Sequence, residues 1–291
     1  MTSDVTGHPA TTDPPRRAGR NLPAAVGIGL GLGAAVVASL FIRPEAFVVF
    51  ATVAVLYGSV EVVRAFRSRH LRVPVLPPVV GTLAMLPGAY LGGGETLLVA
   101  YVLTVFAVLA HRLLGDGGDH GSPVPVPAVR DVAGGLFVVS YVPLLAGFAM
   151  LMLAASDGPW RVLVFVLLVV ASDVGGYATG VLWGRHPMAP SVSPKKSWEG
   201  TAGSLAVGAV TGAIALPLAL DGSWWGGALL GLVTVVVAVL GDLSESMLKR
   251  DLGIKDMGTL LPGHGGVMDR LDSLLPAAPV VHLLLLVLVG S

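Results

Sequence analysis

The stretch LLGLVTVVVAVLGDLSESMLKR, residues 229–250, decides how the whole chain is read. Its first part, Leu229 to Leu240, is apolar and carries no charge. With the residues just before it, the run is long enough to cross a hydrocarbon core about 30 Å thick as a helix. Its second part turns polar at once. Asp242, Glu245 and Lys249 are spaced by three and four, which puts them on one helix face, and Ser246 lies one turn beyond Asp242. Two carboxylates and a lysine at the end of a membrane helix can hold a cation and a phosphate together. An internally neutralised helix end is the plainer alternative.

Composition extends this reading outward. The 291-residue chain is 54% hydrophobic and only 12% charged. Its mean hydropathy is +0.81. Soluble domains devote roughly a quarter of their residues to charge. The 18 basic and 18 acidic residues cannot cover a globular surface of this size, so a soluble enzyme or a disordered chain fits poorly. The absence of cysteine removes disulfides, zinc thiolate sites and cysteine nucleophiles. A net charge of zero gives no support for nucleic-acid binding.

Apolar segments of spanning length recur near 23–42, 45–63, 74–92, 96–112, 132–155, 160–182, 201–220, 224–247 and 274–290. Pro74, Pro77, Pro78 and Pro87 interrupt the third. The expectation is an all-α, polytopic integral membrane protein with about nine transmembrane helices, because helices satisfy their own backbone in lipid. The short alternating segments of a β-barrel are missing. With the N-terminus in the cytoplasm, sixteen Lys and Arg residues fall inside, and only Arg43 and Arg161 fall outside. Residues 1–22, with Pro9, Pro14, Pro15, Arg16, Arg17 and Arg20, read as a disordered cytoplasmic tail rather than a cleaved signal peptide. Residues 23–130 then form about four helices and a Gly/Pro-rich linker, and residues 131–291 form the catalytic membrane region.

Polar chemistry gathers on the inner side, in loops 183–200 and 248–273. Asp173 interrupts an apolar run and is followed by Tyr177. A carboxylate there costs roughly 2.5–3.5 kcal/mol on insertion scales, so it should face a cavity, a cation or a partner. Gly176, Gly180 and Gly184 recur every fourth position, which suits close helix packing. Asp269 and Asp272 repeat an acidic spacing of three around Arg270. Together with Asp242 and Glu245 they resemble a magnesium site, because Mg²⁺ prefers hard carboxylate oxygens beside substrate phosphates. Between the acidic clusters lie Lys255 and the run Pro262-Gly263-His264-Gly265-Gly266. Successive amides in such a turn can cradle an anion. His264 suits an acid, a base, a phosphate donor or a purely structural role. Lys195 and Lys196 add adjacent cations, which elsewhere would be a headgroup anchor.

These residues resemble the phosphatidate cytidylyltransferases (CDP-diacylglycerol synthases). The family signature is matched by Ser246-Met247-Leu248-Lys249-Arg250, by Lys255-Asp256, and by Pro262-Gly263-His264-Gly265-Gly266-Val267-Met268-Asp269-Arg270-Leu271-Asp272. The upstream family element is similar in Asp173, Tyr177, Gly184-Arg185-His186, Ala189-Pro190 and Ser193 to Gly200, with Ser197 where threonine is usual. The match is dense in the C-terminal half, whereas residues 1 to about 130 match only as hydrophobic helices.

The resemblance implies a bacterial inner-membrane enzyme that condenses phosphatidic acid with CTP, giving CDP-diacylglycerol and pyrophosphate at the cytoplasmic face. It implies Mg²⁺ on Asp242, Asp269 and Asp272, with a second monovalent cation, K⁺, as a candidate. Asp242, Lys249, Asp269 and Asp272 would be catalytic. Lys195, Lys196, Lys249, Arg250, Lys255, His264, Gly265, Gly266 and Arg270 would meet phosphate, and Asp173, Tyr177, Glu245 and Ser246 would line the cavity. Homodimerisation is compatible with the resemblance and the small-residue faces, which packing within one chain explains equally well. Two rivals are a CTP-dependent polyprenol or lipid kinase and an ion-coupled transporter. The second would need charges near the midplane and inverted repeats, and no repeat is visible.

Overall fold

The computed structural model describes residues 22–115, 128–258 and 265–290. The tail and the Gly/Pro-rich linker read from the sequence lie otherwise outside the described residues, as does His264. The described chain is almost wholly helical: α1 (Leu22–Ile42), α2 (Pro44–Arg67), α3 (Leu76–Gly115), α4 (Ala128–Val139), a π-helical turn (Ser140–Leu144), α5 (Leu145–Leu153) and α6 (Gly158–Trp183). After a hairpin of β1 (Pro187–Ala189) and β2 (Ser193–Ser197) come α7 (Trp198–Leu220), α8 (Trp224–Asp251), the single turn α9 (Met268–Leu271) and α10 (Leu274–Leu288). By length and composition, seven helical stretches among the described residues can cross a membrane. The fold is all-α and polytopic.

The nine expected spans map onto these seven stretches with two differences. Of the first, only Gly31–Ile42 counts, as a shorter apolar helix. The third and fourth are continuous in α3, which breaks at Gly93 (φ 71°, ψ −161°). That conformation is open essentially to glycine alone. The chain reverses there, and the two halves of α3 pack side by side so closely that a Cβ on Gly81 would overlap Thr104. The proline-rich entry to α3 caps the helix rather than ending it, and Pro87 sits inside it.

Large apolar side chains such as Leu91, Leu103, Phe106, Leu218 and Val287 stay exposed, as lipid-facing surface does. Packing between helices is carried by small residues instead. The Gly175 and Gly176 face of α6 meets Gly200, Gly203, Ser204 and Val207 of α7. Gly208 and Gly212 of α7 meet Gly231 and Gly227 of α8, where a Cβ on Gly212, Gly227 or Gly231 would overlap a carbonyl and one on Gly208 the Val235 side chain. In lipid there is no hydrophobic force between helices, so association depends on this close approach. The glycine spacing read as a packing face is therefore a packing face.

The two ends of the bundle differ in chemistry. At one end Phe41 and Trp160 make an edge contact at 4.8 Å. Arg161 donates there to the Gly290 carbonyl at 2.8 Å. At the other end Arg112 pairs with the buried Asp131 at 3.2 Å, and the Arg72 amide donates to the same carboxylate at 2.7 Å. Near that end the α8 terminus, the hairpin and α9 converge.

Candidate active site

The α6–α7–α8 slab sets the frame. Ser197 caps α7 by accepting from the Gly200 amide at 3.1 Å, and this turns β2 sharply into the helix. Glu199, one turn in, accepts from the Arg185 and His186 amides at 3.1 and 3.2 Å and folds the hairpin back onto α7. Lys195 and Lys196 thereby project from β2 toward α8. The Lys196 Nζ lies 2.7 Å from Asp242 Oδ2 and 3.3 Å from the Val239 carbonyl. On the same carboxylate, Oδ1 is 3.5 Å from the Ser246 hydroxyl.

One turn further along α8, Glu245 is 1% exposed. Lys249 stands between it and Asp269, donating to both at 2.9 Å. The other Asp269 oxygen accepts from the Met257 amide at 2.9 Å and from the Gly266 amide at 2.7 Å. A carboxylate that receives two backbone N–H groups closes the loop between Met257 and Gly266 from inside. Gly265 takes φ 77° at that closure. Asp272 accepts from the Ser273 amide at 2.6 Å and lies beside Glu245. Arg250 donates to the Val192 carbonyl at 3.2 Å, which joins α8 to the hairpin.

Two cavities open along this array. The first, about 250 Å³, is lined by Asp173, Tyr177, Lys195, Lys196 and Asp242 at the hairpin end of the slab. The second, about 330 Å³, is lined by Lys195, Ser246, Lys249, Arg250, Lys255 and Asp256. Ser193 and Lys195 belong to both, so the cavities adjoin at the hairpin. Arg270 acts electrostatically on Asp173, as do Asp242 and Asp272. Each sequence-derived candidate among the described residues lies in or beside this region.

No group of three or more His, Asp or Glu side chains among the described residues converges tightly enough to hold a metal ion by itself. The donor chemistry nevertheless fits a hard divalent cation. Glu245 Oε1 is buried with no hydrogen-bond partner among the described residues, and the Asp272 carboxyl is its acidic neighbour. Adjacent buried carboxyls share a proton unless cations let both ionise, and Lys249 is the one cation at hydrogen-bond distance from Glu245 among the described residues. Mg²⁺ needs just one or two carboxylates, with water and phosphate supplying the rest.

Two residues escaped the sequence reading. Glu61, 3% exposed on α2, accepts from the Met268 amide at 2.8 Å. It stands inside an apolar run, and an acid there is itself a signal of function. Tyr141 sits in the π-helical turn, a distortion frequent at functional sites. Its hydroxyl is buried without a partner among the described residues and lies near Glu245, Asp272 and Asp242.

Comparison with known proteins follows the same lines. A model of the cytidylyltransferase family matches residues 24–288. The chain is 42% identical over 280 residues to a phosphatidate cytidylyltransferase of Mycobacterium leprae (strain TN), covering 94% of this chain and 90% of that one. A phosphatidate cytidylyltransferase of Mycobacterium tuberculosis (strain ATCC 25618 / H37Rv) is also 42% identical over 280 residues, with 94% and 84% covered. That of Haemophilus influenzae is 42% identical over 148 residues, or 47% of this chain and 51% of its own. The match runs through the membrane helices as well as the polar loops, and the chain belongs to the cytidylyltransferase family.

Proposed function

We propose that the protein transfers the cytidylyl group of CTP to phosphatidic acid, giving CDP-diacylglycerol and pyrophosphate for phospholipid synthesis. The observation that carries this reading is the pair of adjoining cavities that share Lys195, in a chain matched along nearly its whole length by phosphatidate cytidylyltransferases. One cavity lies within the membrane slab and suits a lipid headgroup whose tails run between helices. The other is rimmed by Lys195, Lys249, Arg250 and Lys255 and suits a triphosphate.

A phosphatidate oxygen attacks the α-phosphorus of CTP, forming a new P–O bond. The bond to the β-phosphate oxygen breaks, and its electron pair leaves with pyrophosphate. A phosphate monoester is already a usable nucleophile, so no side-chain nucleophile is needed. Both reactants are anions, and the chain's work is positioning and charge compensation. Lys195 at the shared edge draws the two phosphates to one place, and Lys196 holds Asp242 facing that edge. Lys249 fixes Asp269 against α8. Asp242, Asp269 and Asp272 are the carboxylates that would hold Mg²⁺, with water and phosphate completing its shell, and the ion would supply neutralisation of phosphate charge. A monovalent cation such as K⁺ would fit the same acidic set.

The topology we favour has nine spans, with the two halves of α3 crossing separately, and an N-terminus in the cytoplasm of a bacterial cell. The cavities then open to the cytoplasmic face, where CTP is available.

The test is purified protein in detergent micelles with phosphatidic acid, Mg²⁺ and CTP labelled at the α-phosphorus. Label in the chloroform-soluble lipid with stoichiometric pyrophosphate supports the reading. Label left in water as CDP, with phosphatidic acid untouched, rejects it and points to an alcohol acceptor.

A further inference from the structure

The chemistry assigned so far belongs to residues 173–272, yet both ends of the loop that carries it are held from the N-terminal half. At the far end, Glu61 Oε2 accepts from the amide of Met268, the first residue of α9. The edges of Gly258 and Gly266 face the same carboxylate so closely that a Cβ on either would overlap its oxygens. Gly58, one turn earlier on α2, packs against Met268 and Leu271, where a Cβ would make ordinary contact at 3.5 Å. At the near end, Arg69, just past α2, donates to the Leu252 carbonyl at 2.5 Å. Gly253 follows with φ 60° and has no space for a side chain against the Arg69 guanidinium.

We propose that α2 is a clamp on the two ends of this loop and that Glu61 is a positioning residue for cytidylyl transfer, acting through Gly258, Gly266 and Met268 on Asp269 without touching either substrate. A carboxylate buried at 3% exposure is costly unless it is well satisfied, and here its visible partners are the main chain of the loop itself. Gly266 is the point of convergence: its amide donates to Asp269 while its Cα side abuts Glu61. The loop is thus held between an acid of its own and an acid from another helix. Releasing the outer hold lets Asp269, and through it Lys249, drift from the array set by the slab. A displacement of about 1 Å at such a site costs on the order of 100-fold in rate. The lipid cavity is lined by residues between Ser172 and Asp242, none of them a partner of Glu61 among the described residues.

The inference rests on the cytidylyl-transfer reading, and the experiment separates the two. Glu61→Ala and the volume-conserving Glu61→Gln are purified in micelles alongside the wild type. Turnover is followed as CDP-lipid formation, and loop order is followed as tryptic cleavage after Lys255, with cleavage after Arg185 as an internal reference. The expected result is a kcat lower by about tenfold or more in Glu61→Ala and intermediate in Glu61→Gln, with KM for phosphatidic acid within about twofold of wild type. Cleavage after Lys255 accelerates while that after Arg185 does not. An unchanged kcat in Glu61→Ala overturns the proposal, and so does acceleration at both sites together, which marks general loosening. If the alanine variant does not accumulate, the glutamine variant carries the same comparison. A wild-type protein that forms no CDP-lipid sinks the transfer reading instead, and the cleavage pattern still decides the clamp.

Discussion

Replacing Lys249 with methionine removes the cation that stands 2.9 Å from both Glu245 and Asp269 while filling much of the same space. The Glu245 and Asp269 side chains are 0% and 9% exposed, so neither can turn to water for a substitute. Losing one partner of a buried ion pair costs about 3–5 kcal/mol, because the other charge is left uncompensated. Glu245 loses its hydrogen-bonded cation outright, whereas Asp269 keeps the Met257 and Gly266 amides, so the expected loss lies within that range. It should be measured as unfolding free energy in mixed micelles titrated with a denaturing detergent, followed by tryptophan fluorescence. Adding Glu245→Gln in the same background removes one stranded charge and should recover part of the loss, with a coupling of about 1–3 kcal/mol. Lys249→Met protein as stable as the wild type would refute the reasoning, since the three side chains would then not depend on one another.

Other outcomes follow from the same geometry. Asp269→Asn keeps the size but puts an amide group where an N–H donor already points, so turnover should nearly vanish while the protein stays in the membrane; full activity at limiting Mg²⁺ would remove Asp269 from the site. Lys196→Ala deletes the 2.7 Å pair with Asp242 and a cation of the membrane-side cavity. Its KM for phosphatidic acid should rise about tenfold, and unchanged kinetics for both substrates would leave Lys196 as a headgroup anchor. Gly231→Val forces α8 away from the Gly208 carbonyl and should destabilise the bundle by about 1–3 kcal/mol or more, seen as a lower midpoint in the same unfolding assay.

Much of this was visible before any coordinates, for a physical reason. Membrane helices announce themselves by length and polarity, and the acids of α8 and the α9 region are local repeats of three and four residues. What stayed hidden depends on distant partners. Glu61 sits amid apolar residues, and its partner Met268 lies 207 positions away. No periodicity carries such a contact; only the cost of a charge in lipid hinted at it. The hairpin at Pro187–Ser197 is short, proline-rich and without alternation, so residues 183–200 read as plain loop. The placing of Lys249 on one helix face with Glu245 is legible in the spacing, whereas its position between two carboxylates is not, because Asp269 returns to α8 only through a turn rich in glycine. The sequence sets 74–92 and 96–112 apart, and the break falls between them at Gly93, within three consecutive glycines.

The glycine seam between α7 and α8 has a mechanical side. Where main chain rests on main chain there are no side-chain rotamers to flex, so one helix can shift only if its whole backbone slides. Compliance in the molecule is therefore unevenly distributed. The slab that carries Asp242 and Glu245 behaves as an anvil: the acids keep their spacing because the helices beneath them have no side chains to yield at the seam.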